Sequence, residues 1–248
     1  MTEPYYSDGQ VELYLGDMRE VLPTLALQAD LVVTDPPYQC TSLAWDSWPE
    51  GWPAIAAQTA SSMWCFGSMR MLLDRRAEFD GWKLSQDVVW EKANGSGFAR
   101  DRFRRVHEIA THWYRGDWRD IHHDTPRTAY SGPDKSARGR GSRTPHTGVI
   151  GPHTYVDNGT RLARSVIKAG AVRYQRRHPT EKPVELLAPL IEYASPVGGL
   201  VVDPFAGSGS TLDAARMLGR RAIGVEADER YIEAAARRLA AASLIPTP

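Results

Sequence analysis

The sequence predicts an α/β protein with a mostly parallel sheet that is covered by helices on both faces. Two observations lead to this prediction. Short apolar runs typical of buried strands alternate with helical segments along most of the 248 residues. After residue 200 the chain then reads as strand, glycine turn, helix, strand and helix, a β-α-β unit that requires a parallel sheet.

Length and composition limit the class of protein. A chain of 248 residues suits one large domain, or a domain with a small module, and the 42% apolar and 24% charged residues exclude wholesale disorder. Two cysteines, Cys40 and Cys65, exclude a disulfide framework, and no residues have the spacing of a metal site. No apolar run approaches the ~18 residues of a membrane span, and the N-terminus lacks the pattern of a signal peptide. We therefore expect a cytoplasmic protein without a metal.

The zero net charge conceals a strong polarity along the chain. Residues 92–182 contain 19 of the 30 Lys and Arg residues but only 8 of the 30 Asp and Glu residues, a local balance of +11 against −11 elsewhere. Such a split predicts a basic surface for a polyanion on an acidic body. The alternative interpretation is a solvated, arginine-rich loop.

The elements of the first half are indicated by apolar runs with β-branched and aromatic residues. The strand at 31–34 must end at Asp35, because the prolines that follow cannot donate to a ladder. The pattern predicts strands at 11–15, 31–34, 63–67, 84–90 and 106–114, and helices at 53–62 and 69–78.

The second half begins without a regular pattern. Residues 119–160 are rich in Gly, Ser, Arg and Pro, and a loop of that length is usually functional or disordered. Order returns at Pro183, which suits the first turn of a helix. The remaining predicted elements are helices at 184–194, 211–218 and 229–242 and strands at 200–203 and 222–225.

One candidate site lies at the turn after strand 200–203. The segment from Asp203 to Thr211, DPFAGSGST, contains glycines that let a ligand approach the backbone at the carboxyl edge of a sheet. Glu226 ends the next strand, where an acid accepts hydrogen bonds from a ribose diol. A dinucleotide fingerprint would need glycine at Leu212. A nucleoside-bearing cofactor is therefore favoured, and a purely structural turn is the alternative.

A second candidate site is Asp35-Pro36-Pro37-Tyr38, directly after strand 31–34. The exocyclic amine of a base is a poor nucleophile, because its lone pair is delocalised into the ring. The Asp35 carboxylate and the Pro36 carbonyl can hold both amino hydrogens, while Tyr38 stacks on the base. The alternative is a Pro-Pro turn that merely ends a strand.

Taken together, the two motifs resemble those of the S-adenosylmethionine-dependent amino-methyltransferases of DNA. Their order, with the catalytic tetrapeptide first, resembles the β group of that family. Further similar segments are LGDM at 15–18, WEK at 90–92, HEI at 107–109, HPTEKP at 178–183 and GVE at 224–226. The resemblance implies a circularly permuted, Rossmann-like methyltransferase fold with a seven-stranded sheet. Only about residues 119–173 lack a match, and there the family itself varies.

The resemblance also implies roles for individual residues. Catalysis falls to Asp35 as acceptor of hydrogen bonds and of the proton, to Pro36 as carbonyl acceptor, and to Tyr38 as stacking partner beside Pro37. Asp17 would accept from the adenine amino group of the cofactor. The implied cofactor site comprises Asp17, Asp35, His178, Thr180, Lys182, Asp203, Pro204, Phe205, Ala206, Gly207, Ser208, Gly209, Thr211 and Glu226.

The implied activity is methylation of adenine N6 in double-stranded DNA, with the target base flipped out of the duplex. Methylation of cytosine N4 is the nearest alternative, although the cytosine enzymes more often carry Ser where this chain has Asp35. RNA or protein-amide methylation is less favoured, because those families usually place Asn there. A non-catalytic DNA-binding regulator is the alternative from another class. Dimerisation and a cognate restriction endonuclease stay open.

These inferences divide the chain into three parts: a catalytic half at 1–118, a DNA target-recognition region at 119–173 and a cofactor-binding half at 174–248. Glycines in the middle part favour a segment that orders on DNA. Its predicted DNA contacts are Arg127, Lys135, Arg138, Arg140 and Arg143.

Overall fold

The computed structural model describes residues 3–39, 47–96, 100–146, 148–170 and 181–243. The chain divides into two compact units. The first comprises Met1–Asp124 and Ser165–Pro248, and the second is Thr125–Arg164.

The described residues contain fifteen strands and six α-helices. The strands are β1 (Tyr6–Ser7), β2 (Val11–Leu15), β3 (Leu31–Thr34), β4 (Ser62–Gly67), β5 (Lys83–Ser96), β6 (Arg105–Tyr114), β7 (Arg127–Ala129), β8 (Ala137–Gly139), β9 (Ser142–Thr144), β10 (Gly148–Ile150), β11 (His153–Tyr155), β12 (Thr160–Leu162), β13 (Val166–Lys168), β14 (Leu200–Asp203) and β15 (Arg221–Glu226). The helices are α1 (Met18–Leu25), α2 (Trp52–Thr59), α3 (Met69–Asp74), α4 (Val184–Ala194), α5 (Ser210–Met217) and α6 (Glu229–Ser243). Short 3₁₀ turns cover Arg76–Phe79 and Trp118–Asp120.

In the described part of the first unit, nine strands form one sheet in the order β1-β2-β15-β14-β3-β4-β6-β5-β13. The five strands from β2 to β4 are parallel to one another, β6 is antiparallel to β4, and β5 is antiparallel to β6. The α/β prediction is confirmed, and the seven predicted strands form the sheet's centre. The sequence did not predict β1 and β13, which add two and three residues at the edges.

Two apolar layers cover the sheet. Leu186 of α4, Leu212 of α5 and Ile232 of α6 pack on one face, whereas Val21 of α1 and Trp52 of α2 pack on the other. Both β3 and β14 are buried along their whole length, which explains why they read as uninterrupted apolar runs. None of the helices in the described ranges combines the length and apolarity that a membrane crossing needs.

The chain leaves β3 and β14 in opposite directions across the sheet. From β3 it passes through α2 to β4, whereas from β14 it passes through α5 to β15 on the other side. Such a reversal opens a crevice at the carboxyl ends of the two central strands. The residues that follow β3 and β14 therefore face one crevice.

The second unit, described by itself, is a two-stranded antiparallel ribbon that the sequence did not predict. Three nested ladders pair β7 with β12, β8 with β11 and β9 with β10. Each strand has three residues, too few for a periodic pattern to show in the sequence. Among the described residues of this unit none is buried, so the ribbon has no core of its own.

Candidate active site

A cavity of about 590 Å³ lies at the carboxyl ends of the parallel strands. Its walls come from the residues that follow β2, β3, β14 and β15, together with Trp48 and Lys182. The register brings these strand ends together, because Leu15 pairs with Glu226, and Asp203 pairs with Gly224. A pocket of this volume accommodates a molecule the size of a nucleoside with a side chain.

Glu226 is held in the cavity by backbone donors. Its two carboxylate oxygens accept from the amide nitrogens of Gly207, at 2.8 Å, and Asp228, at 2.9 Å. Burial raises the pKa of Glu226, although these hydrogen bonds oppose the rise. Each oxygen of a carboxylate has a second lone pair, so the group can still accept from the hydroxyls of a ligand.

The glycine turn after β14 forms the floor of the cavity. Gly207 and Gly209 have φ angles of 51° and 76°, which disfavour a side chain at either position. Asp203 braces the turn by accepting from the amide of Phe205 at 3.1 Å. Burial raises the pKa of Asp203 to about 7, against the effect of hydrogen bonds from Thr211 and Phe205.

Asp17 lines the same cavity, but its carboxylate already has partners. It caps the first turn of α1 by accepting from the amide of Arg19 at 2.8 Å, and it pairs with the Arg19 guanidinium at 2.5 Å. Side-chain hydrogen bonds from Arg19 lower the pKa of Asp17, despite its partial burial. The structure therefore gives Asp17 a helix-capping role in addition to its place in the cavity wall.

The Asp35 carboxylate follows β3 and is engaged on both oxygens. The Tyr38 hydroxyl donates to Oδ1, and the Lys182 ammonium donates to Oδ2. Burial raises the pKa of Asp35, while the positive charge of Lys182 opposes that rise. Pro36 is buried, and Pro37 lines the cavity. The turn therefore holds Asp35 beside the cavity next to a fixed cation.

Lys182 extends this pair into a network of four charges, in which Lys182 is buried and the other three groups are half-buried. Its ammonium also lies 3.3 Å from Glu108 Oε2, and Lys92 pairs with Glu108 Oε1. The two carboxylates outweigh the burial of Lys182 and raise its pKa, whereas the two lysines lower the pKa of Glu108. Two lysines and two carboxylates balance, so the network carries no net charge.

The sequence reasoning missed this network. The segments that supply Lys92 and Glu108 stood out only as matches to a family pattern, without a role, and Lys182 was assigned to the cofactor site and not to a contact with Asp35. The topology explains the omission. Antiparallel β6 begins at the cavity edge, where Gly67 of β4 pairs with Ile109, and so places Glu108 there.

The other predicted cofactor residues divide into two groups. His178 and Thr180 lie outside the described residues. The rest of the predicted cofactor residues within those ranges contribute to the turn or the cavity wall: Pro204, Phe205, Ala206, Ser208 and Thr211. Glu181 also lines the cavity and pairs with Arg238 at 2.5 Å. No group of three His, Cys, Asp or Glu residues able to hold a metal occurs within the described ranges.

The five predicted DNA contacts all lie in the ribbon. Arg127 donates to Thr160 at 2.6 Å, and the Lys135 ammonium lies 5.5 Å from the ring centre of Tyr130. The side chains of the other three, Arg138, Arg140 and Arg143, are exposed. Two of the five therefore help to hold the ribbon together, and three present their charge to solvent.

Comparison with known proteins identifies the family to which this chain is similar. A family model described as DNA methylase (N6_N4_Mtase) matches residues 29–237. The Type II methyltransferase M2.DpnII of Streptococcus pneumoniae is 25% identical over 97% of this chain and 94% of its own length.

Two solved structures share the fold. The crystal structure of an M1.HpyAVI–SAM complex superposes with a TM-score of 0.65 at 23% identity, over 92% of this chain and 98% of that one. The cytosine-N4-specific PvuII DNA methyltransferase gives a TM-score of 0.64 at 17% identity, over 96% and 89% of the two chains. Only the second of these two names specifies a target amino group, so likeness of fold alone does not identify the target of this chain.

Proposed function

This chain belongs to the DNA methylase family whose model it matches over residues 29–237, and from that membership we propose that it methylates adenine N6 in double-stranded DNA. The methyl donor is S-adenosylmethionine. The observation that carries the proposal is the Asp35 carboxylate, fixed at the edge of a cofactor-sized cavity. The family indicated by the motifs is confirmed, and the choice of adenine is ours.

The cavity fits the donor by its chemistry. Glu226 has free lone pairs for the ribose hydroxyls, and the turn at Gly207 and Gly209 lets the cofactor approach the backbone. Asp17 and Asp203 line the wall on either side. When bound, S-adenosylmethionine supplies a methyl group that is activated by the positive charge on sulfur.

Asp35 acts on the target amine. Its carboxylate and the Pro36 carbonyl accept the two amino hydrogens and align the nitrogen with the methyl carbon. As the carbon–sulfur bond breaks and the carbon–nitrogen bond forms, the amine gains a positive charge and releases one proton to Asp35. Catalysis is therefore chiefly alignment and proton acceptance.

Lys182 and Glu108 set the state of Asp35. A buried carboxyl without a partner would stay protonated and could not accept a proton. The Lys182 ammonium favours the ionised form of Asp35, and Glu108 holds that ammonium from the other side. Lys182 thus has two functions: it keeps Asp35 ionised, and it forms part of the cavity wall.

Tyr38 must change partners when the base enters. Its hydroxyl donates to Asp35 Oδ1, the oxygen that the amine would also approach. We assign the ring of Tyr38 to stacking on the flipped base, with the hydroxyl bond as the resting arrangement.

Cytosine N4 is the second candidate target, because the PvuII enzyme named cytosine-N4-specific fits the fold about as well as M1.HpyAVI does. The Asp35 carboxylate favours adenine on the resemblance argued from the sequence. Our proposal includes neither a dimer nor a cognate endonuclease.

DNA recognition falls to residues 119–173 in our proposal, with the ribbon at their centre. An antiparallel two-stranded ribbon is narrow enough to enter the major groove. The exposed Arg138, Arg140 and Arg143 would meet phosphates and base edges. Since the ribbon has no buried residue within its described part, contact with DNA would order and stabilise it.

The experiment is transfer of labelled methyl groups to unmethylated genomic DNA, followed by mass spectrometry of the nucleosides. We expect N6-methyladenine and no transfer with Asp35→Ala. N4-methylcytosine in its place would make the second candidate correct. No label in either base, with intact cofactor binding, would favour a non-catalytic regulator.

A further inference from the structure

We propose that Phe103, at the tip of the β5–β6 hairpin, inserts as a wedge into the duplex beside the target base. The inference rests on the proposed DNA methylation and extends it to the step that opens the helix. The tip is defined here as residues 100–105, which lie in the first unit and not in the ribbon.

The first observation is the exposure of Phe103. Its side chain is fully exposed, at 103%, and Val106 beside it is 40% exposed. An aromatic ring that stays fully exposed to water forgoes the free energy that its burial would release, about 1.5–3 kcal/mol by area arguments. A single exposed ring needs no explanation by itself, so the residues around Phe103 must show whether the ring has a function.

The second observation is the charge around Phe103. Residues 100–105 read Arg-Asp-Arg-Phe-Arg-Arg, and all six are exposed. The only acid in this stretch, Asp101, pairs with Arg102 at 2.6 Å, which leaves a net charge of +3. A protein or lipid partner would cover the ring with apolar surface. Four arginines around one ring instead match a base step between two phosphate backbones.

The third observation is the position of the tip. Glu108 of β6 follows Phe103 by five residues and contacts Lys182, which in turn contacts Asp35. Five extended residues span at most about 17 Å. That length corresponds to no more than about five base pairs of duplex. The ring thus lies at the cavity end of β6, within a few base pairs' length of the network that holds Asp35.

The three observations together assign a function to the ring. Removing a base from the stack costs a few kcal/mol, and apolar side chains that enter a base step offset part of that cost. Phe103 would occupy the space next to the departing base, and the arginines would hold the backbones on either side.

The experiment compares Phe103→Ala with Leu84→Ala. Leu84 is a matched control, because it is 57% exposed on the same hairpin and pairs with Trp113 at the opposite edge of the sheet. The substrates are two oligonucleotide duplexes that carry the site mapped on methylated genomic DNA. One is fully paired, and the other has a mismatch at the target base, which removes part of the unstacking cost.

We expect Phe103→Ala to lower kcat/KM about 10-fold or more on the paired duplex and to stay within about threefold of the wild type on the mismatched one. Leu84→Ala should match the wild type on both. Equal losses on the two duplexes would overturn the wedge, as would no loss. A change of oligomeric state in Phe103→Ala, by light scattering, would assign the ring to contacts between copies instead.

The two proposals fail in different ways. If the wild-type protein methylates neither duplex, the proposed function is wrong. If it methylates both and Phe103→Ala behaves like Leu84→Ala, only the wedge is wrong.

Discussion

Lys182 donates to Oδ2 of Asp35 although 147 residues separate them in the chain. The side chain of Lys182 is 8% exposed and that of Asp35 is 20% exposed, so water screens the pair weakly. Asp35, the acid proposed for catalysis, is therefore held by Lys182. This lysine lies in the C-terminal half of the chain and also lines the cofactor cavity.

The first prediction concerns Asp35 itself. Asp35→Ala and Asp35→Asn should each lower kcat at least about 100-fold, because neither side chain can accept a proton. Steady-state methyl transfer to duplex DNA measures this. Titration calorimetry with S-adenosylhomocysteine should give a Kd within about threefold of the wild type for both variants. Near-normal turnover in Asp35→Ala would remove the acid from the mechanism.

The second prediction concerns the pH dependence of kcat, whose acidic limb reports protonation of Asp35. The positive charge of Lys182 lowers the pKa of Asp35, and the negative charge of Glu108 raises it. Lys182→Gln should therefore move the acidic limb to higher pH, and Glu108→Gln should move it to lower pH. Glu181→Gln is the control, since Glu181 pairs with Arg238 and should leave the limb in place. Shifts in the same direction for both variants would contradict the network.

The third prediction concerns the cofactor. Glu226→Ala should weaken binding of S-adenosylhomocysteine by about 10- to 150-fold, the loss of a charged hydrogen bond of about 1.5–3 kcal/mol. Gly207→Val should do so as well, because its φ of 51° is strained for a β-branched residue. Glu229→Ala, at an exposed position of α6, serves as the control in the same calorimetric titration. An unchanged Kd in both variants would place the cofactor elsewhere.

The fourth prediction separates the ring of Tyr38 from its hydroxyl. Tyr38→Phe keeps the stacking surface and removes the donor that occupies Asp35 Oδ1, so it should retain activity within about threefold. Tyr38→Ala should lose about 10-fold or more, because stacking on one base contributes about 1–3 kcal/mol. Kinetics on one duplex compare the two variants. Equal losses would assign the hydroxyl, and not the ring, to the reaction.

The fifth prediction concerns the ribbon. Replacing Arg138, Arg140 and Arg143 together by Ala should weaken DNA binding and reduce the slope of log K against log salt by about 0.9 for each lost phosphate contact. Fluorescence anisotropy over a salt series measures both. Arg221→Ala, exposed at the opposite edge of the sheet from the cavity, is the single-site control. An unchanged slope in the triple variant would move the interface to residues 100–105.

Much of the sheet could be predicted because its strands are buried on both faces. In β3, β4 and β14 every residue is buried, and such strands read as apolar runs without alternation. Helix α4 was also predicted with its observed bounds. The helix predicted at 53–62 ends at Thr59, because Ala60 is already extended and Ser62 begins β4.

The candidate site could be predicted only in part from the sequence. Asp35, Asp203 and Glu226 each follow a strand, and parallel strands end at one edge, so their meeting could be inferred. The contacts of Lys182 with Asp35 and Glu108 could not, since they depend on a segment that no periodic pattern places. The ribbon was missed for a different reason: its pairs form between exposed residues, which leave no apolar pattern.

The pairing of β2 with β15 has a consequence for how the protein is made. Gly16 donates to the carbonyl of Glu226 at 3.0 Å, and the two strands form adjacent walls of the cavity. A ribosome that adds about 5–20 residues per second needs about 10–40 s to pass from the first of these strands to the second. Throughout that interval β2 lacks its parallel neighbour, and closure of so long a loop is slow. A nascent chain therefore cannot bind the methyl donor early, and modification of DNA waits for synthesis to reach the last strand of the sheet.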